Sequence, residues 1–328
     1  MKKVLNIVNS SALRRLNDDF VSPLIDIFVS AKEECTSVRK SSIYVKLTRE
    51  KASVINSAFE QIVVAKSKLT FEEECDQFVV LLGIDELKYL RATFLYQTRQ
   101  LDVGNYSLSV VKFKASVKRL FASYIYEVLF DNEDIWNSLN LPQLKRELFH
   151  DNFRRDNDYP ASCPYCDLDT INSRGSIKIE HLLPKSKFPL LSVYPLNLLS
   201  ACESCNSGGF GKGSKVVTQL ASPYFCSIGE TVDFQFDQLS HTVFVDACGG
   251  ELGTEGFLSL LNLKKRYQQH NIGIQLHRRM DAFISTVSHI PKNAGELREY
   301  LEKCQAGAPF TVALTYWLEN VYFPANGI

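Results

Sequence analysis

Cys163-Pro164-Tyr165-Cys166, Ile177-Lys178-Ile179-Glu180-His181, Asn197 and Cys202-Glu203-Ser204-Cys205-Asn206 follow one another within 44 residues. A Cys-x-x-Cys turn presents two sulfurs to one cation, and two such turns complete the tetrahedral thiolate set that suits zinc in structural sites. A thioredoxin-like redox pair needs only one such turn beside a βαβ unit, and four thiolates also hold iron, but zinc matches the doubled spacing best. With Cys163, Cys166, Cys202 and Cys205 filling the coordination sphere, this zinc has no open position and serves as a frame rather than a reactant. The 35 residues between Cys166 and Cys202 are too few for a core of their own. Metal binding is therefore expected to couple to folding, worth roughly 10 kcal/mol or more at neutral pH.

Working outward, Ile177, Lys178 and Ile179 alternate like a short strand, which puts Glu180 and His181 at its end. A loop containing Pro184, Pro189 and Pro195 follows, and the segment from Cys202 to Lys215 begins as a helix that brings Asn206 beside the second cysteine pair. The order is ββα. In these residues the chain resembles the HNH endonuclease family, in the version whose motif is framed by two Cys-x-x-Cys pairs. The resemblance implies that His181 is the general base, that Glu180 and Asn206 hold a divalent ion, Mg2+ by preference, and that Asn197 pins the loop positioning the histidine. A neutral imidazole suits the base role if a carbonyl fixes its other ring nitrogen as N–H. Lys185, Lys187, Lys212 and Lys215 are the candidate phosphate contacts. Two positions depart from the commonest family pattern, Glu180 in place of aspartate and Asn206 in place of histidine, and the cluster Gly208, Gly209, Gly211 and Gly213 is longer than the usual ending.

Other polar residues lack such a setting. His150, His241, His270, His277 and His289 read as solvated or hydrogen-bonded histidines, and Cys226 and Cys248 as lone thiols outside a ligand set that is already complete.

The whole chain has 328 residues, 45% of them hydrophobic, enough for two domains, and its 37 basic residues balance 37 acidic ones, so no global field points to a polyanion. Nine cysteines, an odd number, fit reduced thiols plus a metal site better than a disulfide scaffold. No signal peptide or membrane span is legible, and a cytoplasmic location is expected. Residues 1–150 show helical spacing. Thr70 and Glu73 form a capping box, Gly83 ends that helix, Asp85 caps the next one, and Val110, Phe113, Val117, Leu120, Phe121 and Tyr124 predict a helix over 110–128. Its Lys112, Lys114, Lys118 and Arg119 read as a solvated face. Beyond the motif, Val232, Phe234, Phe236 and then Val243 and Val245 predict a hairpin, and Leu276, Met280, Phe283, Ile284 and Val287 a helical stripe. Lys264, Lys265, Arg266, Arg278 and Arg279 give that region a basic character.

The expected fold is α+β, mostly α, with a helical domain over 1–150 and a nuclease domain over 151–328 whose motif core is 163–215. The tail, including Ser222-Pro223-Tyr224-Phe225 and Leu261-Asn262-Leu263, is similar to that of HNH nucleases in bacterial anti-phage systems such as Septu. This second resemblance implies a defence effector acting on DNA more readily than RNA, with an ATPase or other defence-system partner for the helical half. A zinc-scaffolded binding module and a toxin-type nuclease are the alternatives.

Overall fold

The computed structural model describes residues 8–61, 69–126, 132–157, 162–171, 177–209, 211–287, 293–305 and 308–326. These are mostly helical, with two small two-stranded antiparallel sheets. No helix among them is long and apolar enough to cross a membrane.

Helices Val8–Leu16, Ser22–Glu33, Arg49–Gln61, Phe71–Leu81, Ile84–Asp102 and Glu133–Ser138 close around one apolar core that includes Phe28, Phe59, Phe121 and Trp136. The expected capping box is present: Thr70 Oγ1 accepts from the Glu73 amide at 3.2 Å and Glu73 Oε2 from the Thr70 amide at 2.7 Å. The next helix is capped differently. Gly83, not Asp85, is its N-cap, and Glu86 Oε2 accepts the Gly83 amide at 2.8 Å, because the residue three positions inside a helix is the one whose side chain reaches back.

The helix expected over 110–128 begins only at Ala115 and becomes π-helical over Lys118–Ile125; residues 127–131 lie outside the described set. The preceding stretch forms neither helix nor strand, with Val110 42% exposed. It links two cores: Tyr106 and Leu108 belong to one, Val117 and Leu120 to the other. A helix advances only about 1.5 Å per residue, so a chain out of the helix reaches further between them.

The second core surrounds the cysteine region and gathers Tyr165, Phe257, Tyr267, Leu276 and Trp317. β1 (Ile177–His181) pairs with β2 (Leu198–Cys202), Ile177 opposite Cys202 and His181 opposite Leu198. β3 (Val232–Asp237) and β4 (Thr242–Ala247) form the expected hairpin. In the His270–Val287 helix Leu276, Met280, Phe283 and Val287 are buried, while Ile284 is 39% exposed and lies off the stripe. The division near residue 150 is not clean. Leu190, Val193 and Leu198, from the β1–β2 connection and β2, pack in the helical core, and Leu101 packs in the second.

Candidate active site and its metal frame

The cysteine pairs converge. All four side chains are buried, and their sulfurs lie within 4.8 Å of one another, the only group of three or more histidine, cysteine or acidic ligand atoms so placed among the described residues. Cys163 and Cys205 sulfurs are 4.0 Å apart and those of Cys166 and Cys202 3.8 Å. A tetrahedron with Zn–S bonds of about 2.3 Å has edges of about 3.8 Å, so the four thiols are spaced to hold one structural metal such as zinc. Backbone amides already point at the sulfurs: Leu168 N lies 3.4 Å from Cys166 Sγ and Cys202 N 3.3 Å from Cys163 Sγ. Burial pushes the Cys163 thiol up, but hydrogen bonds from the other three cysteines and the Cys202 amide outweigh it and hold it well below the usual thiol range.

Arg266, one of the residues that give this region its basic character, is buried. Its Nη1 donates to Cys205 Sγ at 3.1 Å and its Nη2 to Asp169 Oδ2 at 3.1 Å, setting a cation against a sulfur that would carry thiolate charge with a metal bound. Tyr267 Oη donates to the Cys166 carbonyl at 3.0 Å, and Asp167 Oδ2 accepts from Val312 N at 2.7 Å, docking the Thr311–Trp317 helix onto the first knuckle. Cys226 and Cys248 bond Ser222 and Asp233 and take no part in the frame.

On this frame β1 ends in Glu180 and His181, both buried. They line a 610 Å³ cleft together with Asn206 and Lys185. His181 Nε2 lies 2.9 Å from the Ser192 carbonyl. A carbonyl only accepts, so Nε2 carries the proton and Nδ1 keeps the lone pair. The ring packs edge-to-face with Tyr126, centroids 4.7 Å apart and planes at 61°, and Lys185 Nζ sits 4.0 Å from the Tyr126 centroid.

Asn197 is fully buried and spans the connection: Oδ1 accepts from Leu183 N at 2.7 Å, and Nδ2 donates to the Leu183 carbonyl at 3.0 Å and the Leu191 carbonyl at 3.1 Å. It fastens both ends of the loop that carries Ser192. Removing the amide in Asn197→Ala strands the buried amide and carbonyl of Leu183 at about 1–3 kcal/mol each, while the Leu191 carbonyl keeps the Tyr194 amide at 3.2 Å. A loss of at least about 2 kcal/mol in urea unfolding is expected, and a loss below about 1 kcal/mol would show that the loop closes without it.

The expected helix after Cys202 is a single turn, Glu203–Asn206, because the glycines take over. A Cβ on Gly211 would lie 2.1 Å from the Cys205 carbonyl oxygen, and Gly213 has φ +50° with Gly208 Cα 2.8 Å from its virtual Cβ. This tight loop turns Lys212 inward. Lys212 and Glu180 form a buried pair, Nζ to Oε1 2.6 Å, with side chains 1% and 5% exposed. Lys212 thus pairs with Glu180 while lining the same cleft; Lys215 Nζ bonds the Gly211 carbonyl, and exposed Lys187 lies outside the cleft lining.

The opposite wall was missed by sequence reasoning. Arg146, Glu147 and His150, from the Arg146–Asp156 helix, face the cleft with Lys178. Their i, i+4 spacing marked a helix face, but nothing local said which cleft it would line. His150 Nδ1 lies 2.8 Å from Ser200 Oγ.

Burial pushes His181 down to about 3 against the pull of the Ser192 carbonyl, with Lys185 and Lys212 reinforcing it, and burial likewise brings His150 down to about 4. Above the ordinary value of 6.5 both rings are neutral whether the chain is folded or not. Below it the unfolded chain binds protons that the folded one refuses, so stability falls as pH falls, by about 1.4 kcal/mol per pH unit for each ring. The loss runs down to about 4 for His150 and about 3 for His181. Urea midpoints should drop measurably between pH 7 and 5; equal midpoints would place these rings in solvent.

Known proteins add little to this geometry. No family model and no solved structure matches the chain. Protein ea31 of Escherichia phage lambda is 34% identical over 101 residues, which cover 26% of this chain and 32% of that protein. The chain therefore spans about a third of the length of this curated relative, whose name states no activity.

Proposed function

We propose that this protein is a metal-dependent endonuclease of the HNH type, hydrolysing phosphodiester bonds in nucleic acid, DNA in preference to RNA. The observation that carries the reading is the tautomer of His181. Its N–H is committed to the Ser192 carbonyl while Glu180 and Asn206 line the same cleft, as a base beside a cation site requires. Nδ1 would accept a proton from the attacking water, and the phosphate charge would raise the ring's proton affinity once substrate is seated. Glu180 and Asn206 offer two oxygens to a divalent ion, a set that fits Mg2+, which keeps waters and substrate oxygens for the rest. Such an ion, when bound, neutralises charge building on the phosphoryl and leaving oxygens. Arg146, Lys178 and Lys185 would grip the phosphate backbone from the cleft walls. Plasmid nicking in Mg2+ by wild type, absent in His181→Ala, tests the reading.

Lys212 competes for the ion's place. Burial holds the Glu180 carboxyl above its usual range, with Lys212 pulling the other way. In Lys212→Met a divalent ion would meet no ammonium, and Mn2+ affinity followed by electron paramagnetic resonance should rise about tenfold or more. Stability should fall by about 3–5 kcal/mol because a buried carboxylate loses its partner. Unchanged Mn2+ affinity would show that the ion and Lys212 do not share Glu180.

The resemblance of the tail supports a role as an anti-phage effector with an ATPase or other defence-system partner, and a toxin would use the same chemistry. The buried Lys212–Glu180 pair favours one further reading, a zinc-scaffolded binding module in which the carboxylate is already satisfied and no ion enters. In that case His181→Ala would leave nucleic-acid binding intact and wild type would cut nothing.

A further inference from the structure

A second cluster of histidines lies away from the cleft, where the β3–β4 hairpin meets the His270–Val287 helix. His241, at φ +50° in the hairpin connection, brings its carbonyl oxygen to within 1.6 Å of where a Cβ on Gly273 would stand, so only glycine admits this approach. One helical turn on, His277 Nδ1 meets the Gly273 carbonyl at 2.8 Å. Because the carbonyl only accepts, Nδ1 carries the proton and Nε2 bears a lone pair. His277 is 8% exposed, and its Nε2 is buried without a hydrogen-bond partner. The His241 ring faces it at 5.0 Å between centroids and 77° between planes, and His241 Nδ1 is likewise buried and unpartnered. His270, exposed at the start of the same helix, has its ring 6.4 Å from that of His241.

A buried acceptor without a donor is destabilising, and folded proteins keep few unless water or an ion completes them. Here two such nitrogens belong to facing rings, and one is fixed as a lone pair by the backbone. An imidazole in that state is a ligand for zinc, nickel or copper. The backbone bond to the opposite nitrogen is also the arrangement that orients histidine ligands in metal sites.

We infer that His241 and His277 form a transition-metal site separate from the four-cysteine frame, with His270 turning inward as a third ligand. The three rings do not yet converge, since only the cysteines bring three ligand atoms within 4.8 Å among the described residues. His270 is exposed, with its ring 6.4 Å from that of His241. The ion would clip the hairpin onto the helix at the place where Gly273 permits contact. It makes no use of the cleft and does not depend on the nuclease reading.

The test uses the full chain without a histidine tag, its cysteine frame loaded with zinc, titrated with Ni2+ by calorimetry. Wild type should take up one Ni2+ per chain. His241→Ala should lose it, and His270→Ala, an exposed change that leaves the core alone, should bind about tenfold more weakly or worse. Zinc at one per chain in every variant shows that each has folded. No Ni2+ uptake by wild type overturns the site, the two nitrogens then being completed by water or by a bond between the rings. Equal uptake by wild type and His241→Ala overturns it too.

Discussion

Removing the metal from the cysteine frame, by a strong chelator or by Cys202→Ser, should unfold the body built around it while the helical core persists. The four sulfurs, with Cys166 and Cys202 3.8 Å apart and Cys163 and Cys205 4.0 Å apart, bring together segments that begin at residue 163 and residue 202. Arg266, Tyr267 and the Thr311–Trp317 helix are all anchored on the same knuckles. Structural zinc contributes about 10–16 kcal/mol in small domains, as much as or more than the whole stability of a typical domain, about 5–15 kcal/mol. Near-ultraviolet circular dichroism and hydrogen exchange should show loss of packing around Tyr165 and Tyr267, with amides of the Ser22–Glu33 and Ile84–Asp102 helices still protected. A metal-free chain that keeps native exchange protection around β1 and β2 would mean that the apolar core alone holds the site, and the frame would be dispensable.

On the proposed nuclease reading, His181→Ala should lower kcat for plasmid nicking by about 10²–10⁴ with KM nearly unchanged, because the ring would move a proton and not bind the phosphate. The control is stability. His181 is buried against Tyr126, so the variant should lose some packing, about 1–3 kcal/mol, yet remain folded and keep its zinc. Its acid sensitivity should also shrink, since one of the two rings that resist protonation is gone. Nicking within tenfold of wild type in a folded variant would move the base elsewhere in the cleft, with His150 the next histidine along its lining.

The helical half has a definite structural role that its sequence did not announce. It grips the β1–β2 connection: Asn17 Nδ2 donates to the Val193 carbonyl at 3.0 Å, Ser192 Oγ to the Phe121 carbonyl at 2.7 Å, and Tyr106 Oη to the Leu196 carbonyl at 2.6 Å. Tyr194 Oη reaches Asp102 Oδ1 at 2.7 Å, and Asp102 is held in turn by Arg14 at 3.1 Å. Ser192, whose carbonyl sets the His181 tautomer, is thus fixed by residues more than 70 positions away.

Local chemistry explains what could be read early. Two Cys-x-x-Cys turns place sulfurs by spacing alone, the alternation at Ile177 and Ile179 makes β1, and the Thr70–Glu73 pair starts a helix, each within a few residues. The error at 110–114 came from the same source: apolar spacing that suits a helix was used by a chain without helix or strand to link two cores. The role of Arg266 was not legible because a charged residue in a basic stretch gives no sign that a cysteine sulfur waits 61 residues upstream.

By itself, then, the amino-acid sequence determined the cysteine frame, the strand that ends in Glu180 and His181, and the mostly helical character of the rest. Only the tertiary structure decided which imidazole nitrogen is free, that Lys212 neutralises Glu180, and that Tyr126, Arg146 and His150 wall the cleft. The physical reason is range. Chelating pairs, pleats and caps act over two to four neighbours, whereas the protonation state of a buried ring is set by whichever carbonyls and cations the folded chain brings against it.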